Sequence, residues 1–213
     1  INEQQTELFS IIESKVTDEQ LRGIFYEKNF SRLKYLSIAA NQIQTIDSSS
    51  FRKVGRLREL NLARNAIRHL TGDVFRELEE LRRLDLSGNK ITELSRSSEV
   101  FNNLLQLRVL DLSNNTINDI PRHIFYGLRN LIELNISHNK LYLLPYQTFE
   151  SIRSVESIDL SYNLLVSFLD NFFIHNSRLK VLQLHHNNLH TINKNLLYGL
   201  KDLHTLNLSH NQI

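Results

Sequence analysis

An asparagine recurs down this chain at a nearly fixed interval, and the same apolar spacing precedes it each time. Asn41, Asn65, Asn89, Asn115, Asn139, Asn163, Asn187 and Asn211 are 24 residues apart at every step but one, which is 26. Leu131, Leu134 and Ile136 stand eight, five and three residues before Asn139, and these offsets hold from Leu33/Leu36/Ile38 to Leu203/Leu206/Leu208. The spacing is not helical. Leu134 and Ile136 are two residues apart, so they share one side of a short strand, while Glu133 and Asn135 take the other. So short a strand cannot cover its apolar side alone, and the chain must stack copies of it.

The second half of each copy is also periodic. Phe51, Phe75, Phe125, Phe149 and Phe173 lie ten residues after the asparagine, and Leu197 takes that place in the seventh repeat. Phe101 lies twelve after Asn89, which locates the two extra residues within Ser95 to Val100. They are expected to bulge on the surface without breaking strand register. Phe9, Ile11, Ser14 and Val16 fit a degenerate first copy, with Leu21, Phe25 and Phe30 as its outer half. Asp18 is expected to cap a helical turn there.

The pattern LxxLxLxxNxL, followed by a phenylalanine, resembles leucine-rich repeats over essentially the whole chain. The 24-residue period, with Ile120-Pro121 and Leu144-Pro145, looks like the extracellular class found in Toll-like and chaoptin-type insect ectodomains. The resemblance implies an α/β solenoid: a curved horseshoe with a parallel concave sheet and an irregular, short-helical convex side. It further implies a single solenoid over 1–213, with 1–32 a degenerate repeat and 33–213 eight recognisable ones. Ile213 falls inside the last repeat with no closing cap after it, so the chain is expected to be part of a longer ectodomain.

Composition narrows the function classes. With 213 residues, 41% hydrophobic, the chain suffices for one continuous core. A net charge of +2 gives no field to favour nucleic acid or an anionic membrane. No apolar run is long enough to span a bilayer, so a membrane partner is expected only through a segment outside these residues. The absence of cysteine excludes thiolate metal sites and disulfides. Serine, histidine and aspartate abound, but the repeats generate Ser and Asp everywhere, and no nucleophile elbow, phosphate loop or zinc motif occurs. A non-enzymatic protein with no cofactor and no metal is expected.

The asparagine column reads as a structural ladder, each amide satisfying backbone where a strand turns out of the sheet. Recognition is assigned instead to the outward strand columns, which vary from repeat to repeat. Their candidates are Arg64 and Arg83 toward the N-terminal side, Asp85, Asp111, Glu133 and Asp159 at the acidic centre, and His138, Tyr162, His186 and His210 beyond. A protein ligand or co-receptor with a basic patch and an aromatic anchor suits that layout. A bare solvated face is the alternative. His186 and His210 should be neighbours, which raises a pH sensor or an adventitious metal site.

Four N-x-S/T sequons begin at Asn29, Asn114, Asn135 and Asn207, though the repeat wording itself accounts for Asn135 and Asn207. With the repeat class they favour an extracellular protein, secreted or at the cell surface. A glycan on Asn135 or Asn207 would obstruct the concave face. The resemblance implies innate immune reception or cell adhesion. An intracellular adaptor scaffold, which suits the lack of cysteine, and homodimerisation through the curved side or open ends are the competing readings.

Overall fold

The computed structural model describes residues 4–27, 30–94 and 100–213. Among the described residues nine three-residue strands form a single parallel sheet in chain order. They are β1 (Leu8–Ser10), β2 (Tyr35–Ser37), β3 (Glu59–Asn61), β4 (Arg83–Asp85), β5 (Val109–Asp111), β6 (Glu133–Asn135), β7 (Ser157–Asp159), β8 (Val181–Gln183) and β9 (Thr205–Asn207). The middle residue of β2 to β8 is a buried leucine or isoleucine, while its neighbours face outward. Alternation along the strand therefore sets which residues meet solvent.

The register is unbroken. Leu36 pairs with Leu60, Leu60 with Leu84, and so on to Leu206. Leu84 pairs with Leu110 across the 26-residue step. The two extra residues thus do not shift the sheet, although residues 95–99 themselves lie outside the described residues. At the N-terminal edge, Phe9 of β1 pairs with Leu36, so the degenerate segment stacks on the sheet.

A turn brings the chain into each strand, with Leu131 N–H donating to the Leu128 carbonyl and Leu107 to Leu104. The convex side consists of such turns. Among the described residues the one α-helix is α1 (Asp18–Glu27), and the outer side is otherwise irregular, in keeping with the expected irregular, short-helical convex side. The phenylalanine period with its Pro and polar residues closes single turns but never supplies the 12 or so residues that make a stable helix. Inside those turns Phe51, Phe75, Phe101, Phe125, Phe149 and Phe173 form a continuous buried row, with successive ring centroids 5.9–6.5 Å apart. Leu197 does not extend it. It is 36% exposed, on the outer turn between β8 and β9.

The asparagines stitch successive repeats together. Asn139 Oδ1 accepts from Ile117 N–H at 2.9 Å, and its Nδ2 donates to the carbonyls of Leu112, Ile136 and Ser137 at 3.0, 3.1 and 3.1 Å. Asn65, Asn89, Asn115 and Asn163 repeat this arrangement. Asn187 does the same between Leu165 and Leu160, and Asn211 between Leu189 and Leu184. At the N-terminal end Asn41 reaches back to Ser14, Val16 and Ile11.

Asp18 does not cap α1. Thr17 does, with its N–H donating to Gln20 Oε1 at 3.0 Å and its carbonyl accepting from Leu21 N–H. The side chain of the third helical residue thus reaches back to the cap N–H, one half of a capping box. Asp18 faces the next repeat instead, accepting from Gln44 N–H, Thr45 N–H and the Thr45 hydroxyl at 2.7, 3.1 and 2.6 Å.

Candidate functional site

The concave sheet surface has three outward rows, and they do different things. The first holds Arg83 and Glu133, both exposed, with Val109 between them on the intervening strand. The second holds Asn61, Asp85, Asp111, Asn135 and Asp159. The third follows the strands and holds Ala40, Arg64, Gly88, Asn114, His138, Tyr162, His186 and His210.

The second row is turned inward to its own backbone. Asp85 Oδ1 accepts from Ser87 N–H at 2.9 Å and from the Ser87 hydroxyl at 2.6 Å, and Asp159 does the same with Ser161. Asp111 and Asn135 accept from the N–H two residues on, at Ser113 and Ser137. These are side-chain-closed turns that end each strand. Asp85, Asp111 and Asp159 are therefore half-buried turn residues first, and the acidic centre left for a partner is mostly Glu133. The repeated Asp-x-Ser pairs were the available signal for this role.

The third row is left-handed. Ala40, Arg64, Gly88, Asn114, His138, Tyr162, His186 and His210 all have φ between +53° and +64°. Each residue in this row before the last donates its N–H to a carbonyl of the next repeat, as His138 does to Ser161. Left-handed backbone is costly for non-glycine residues, yet only one glycine occupies the row. At Gly88 an added Cβ would stand 3.1 Å from Arg64 Cγ, so the glycine makes room for the Arg64 side chain.

Repetition of one backbone conformation at each turn sets side chains in parallel. His138, Tyr162, His186 and His210 consequently form a single ladder of stacked rings. Successive centroids are 4.1, 4.3 and 4.0 Å apart, with planes within 10–12° of parallel. His185 meets this ladder edge-on, 5.4 Å from Tyr162 and 5.6 Å from His186. It stands where Ser87, Ser113, Ser137, Ser161 and Ser209 stand elsewhere, and Gln183 replaces the Asp or Asn of the second row. The repeat thus lacks the turn bond of its neighbours, and His185 Nδ1 and Gln183 Oε1 are buried without a partner among the described residues. That double departure in one repeat is visible in the sequence, which places His185 on the C-terminal third of the face with Tyr162, His186 and His210.

The ladder holds His186 below its ordinary value of 6.5. Burial contributes most, followed by the charges of His210, His185 and His138. His186 therefore takes up a proton less readily than a free imidazole, and the stack presents ring edges carrying ring nitrogens and one phenol hydroxyl. Among the described residues no group of three or more His, Cys, Asp or Glu is placed to hold a metal ion.

The sequons differ in setting. Asn114 is exposed, in the left-handed row. Asn135 is half-buried, with Nδ2 3.4 Å from Asp111 Oδ2. Asn207 Oδ1 accepts from the N–H and hydroxyl of Ser209. Asn29 lies outside the described residues.

Family models described as leucine rich repeat match residues 31–91, 105–165 and 153–213, and a two-copy model matches 79–122. The chain belongs to the leucine-rich repeat family. No curated protein matches it. Among solved structures, this leucine-rich repeat chain is similar to one in the TLR13–ssRNA13 complex, with 25% identity, TM-score 0.85, and cover of 96% of this chain and 28% of that one. It is similar to a leucine-rich repeat protein of Leptospira interrogans, with 28% identity, TM-score 0.75, and cover of 85% and 44%. A chain of the octameric complex of Latrophilin 3, Unc5D and FLRT2 shares the fold at 21% identity and TM-score 0.84, with cover of 100% and 63%. The chain therefore spans between about a quarter and two thirds of the length of these neighbours. Repeats of this family form protein-interaction modules.

Proposed function

We propose that this solenoid is a recognition segment of a receptor or adhesion ectodomain, secreted or membrane-tethered, and that it binds a protein ligand through the C-terminal half of its concave face. The ring ladder carries this reading. Four rings in contact, with His185 set against them, form a preorganised amphipathic strip that loses little side-chain freedom on docking. Glu133 and Arg83 flank it and supply charge that fixes orientation. The likeness to the TLR13 chain supports an extracellular setting. The sequons support it too, Asn114 in particular.

The TLR13 complex contains single-stranded RNA, which makes a nucleic acid the natural competitor. A base needs a free ring face on which to stack. Here each inner ring already has both faces covered by its neighbours, and Glu133 with the half-buried aspartates adds negative charge. A protein surface fits better.

The test is a binding screen against secreted and cell-surface ectodomains, comparing the parent with Tyr162→Asn and His186→Asn. Asparagine keeps the left-handed backbone, as Asn114 does. A partner lost in both variants but retained by a convex-side variant supports the proposal. Partners indifferent to both, or equal capture of single-stranded RNA, overturn it. A self-associating chain would appear as concentration-dependent light scattering.

A further inference from the structure

The convex side carries a separate hollow, and its chemistry points to a different ligand. Arg129 and Arg153 are 24 residues apart, so they hold the same place on adjacent outer turns. With Arg122, Tyr126, Gln147 and Glu150 they line a cavity of about 600 Å³. That lies within the roughly 300–1,000 Å³ usual for small-molecule sites.

Each guanidinium is held by an uncharged group. Arg122 Nη2 donates to Gln147 Oε1. Arg129 sits over the Tyr126 ring, 5.6 Å from its centroid. Arg153 Nε donates to the Glu150 backbone carbonyl at 3.3 Å. The ion pairs among the described residues include none of the three. Gln147 has φ +69°, a left-handed residue at the point where its amide meets Arg122. Three exposed positive charges thus face one hollow lined by a single carboxylate, Glu150.

Guanidinium forks with unused N–H groups match the oxygens of a tetrahedral oxyanion. Glu150 would repel a polyanion laid along the surface, but it is a strong acceptor for hydroxyl groups. We propose that this hollow binds a saccharide bearing a sulfate or phosphate ester. The ester oxygens sit among Arg122, Arg129 and Arg153, and sugar hydroxyls donate to Glu150. The two esters share this chemistry, and titration separates them.

Calorimetric titration of the protein with glucose 6-sulfate, glucose 6-phosphate, glucose and inorganic sulfate tests the proposal. At least one ester is expected to saturate a single site, and the ester that does so identifies the source. Glucose and free sulfate are expected to bind at least about tenfold more weakly, since each lacks one half of the contacts. Arg153→Gln, at an exposed position, is expected to weaken the ester by roughly tenfold, and Glu150→Gln to erase much of its advantage over free sulfate. His186→Asn is expected to change nothing, so failure here is distinct from failure at the concave face. The proposal is overturned if neither ester saturates up to about 10 mM, if free sulfate binds as tightly as the esters, or if Arg153→Gln leaves affinity unchanged.

Discussion

Asn139 and Leu112, in consecutive repeats, are joined by a 3.0 Å hydrogen bond from side-chain Nδ2 to backbone carbonyl. The same side chain receives Ile117 N–H. Its loss in Asn139→Ala leaves that N–H buried and unpaired, because the Leu112 carbonyl keeps Asn115 but Ile117 N–H has no substitute in view. A cost of about 1–3 kcal/mol is expected in denaturant melts. Asn211→Ala, at a partly buried end, is expected to cost less. An unchanged midpoint for Asn139→Ala would refute the stitching role.

Phe101 lies between Phe75 and Phe125, 6.5 Å from each. Phe101→Ala opens a void in the middle of the row and is expected to cost about 3–5 kcal/mol. Each repeat touches only its neighbours, so damage at the centre of a solenoid divides it into two weaker halves. A broadened or biphasic thermal transition is the expected sign, whereas Leu197→Ala, on the half-exposed last turn, should shift the midpoint only slightly.

Asp85 separates a turn role from a ligand role. Asp85→Asn retains the acceptor for Ser87 N–H and should melt within about 0.5 kcal/mol of the parent, while Asp85→Ala should lose about 1 kcal/mol. Equal stability of the alanine variant would return Asp85 to the recognition surface.

His186 should titrate in proton NMR with a midpoint below 6.5, since burial and the neighbouring imidazoles disfavour its charged form. His210→Gln removes one repelling neighbour and should move the midpoint upward. The linkage has a definite sign. The unfolded chain takes this proton more readily than the folded one, so the contribution of His186 to stability is full above 6.5 and declines as pH falls through the folded midpoint. A midpoint at or above 6.5 contradicts the ladder geometry.

The sheet, its register and the phenylalanine row are legible in the sequence because one 24-residue unit must solve its burial problem by stacking. Leu84 against Leu110 could be read across the insertion for the same reason: a slip would turn every leucine to solvent. The left-handed row was harder. Alternation predicts which residues face out, but not that His138, Tyr162 and His186 share a left-handed backbone, since sequence preference there would call for glycine or asparagine. Nor does it distinguish an outward Asp85 from one closing its own turn. Asp18 shows the same limit: its place before a helical segment suits a cap, but three donors on the following repeat compete for it more effectively. The Asp18 bonds lie between repeats, and no window within one repeat contains them.

The stacked rings and the phenylalanine row measure the same bend from two sides. Centroids are 4.0–4.3 Å apart along the inner ladder and 5.9–6.5 Å apart along the outer row. The inner rows are spaced more closely than the outer one, as an arc with the sheet on its inner side requires. A ligand that flattens the arc must separate His186 from its neighbours, admit water between them and let the imidazole accept a proton more easily. The protonation of one histidine would then report a change in the curvature of the solenoid.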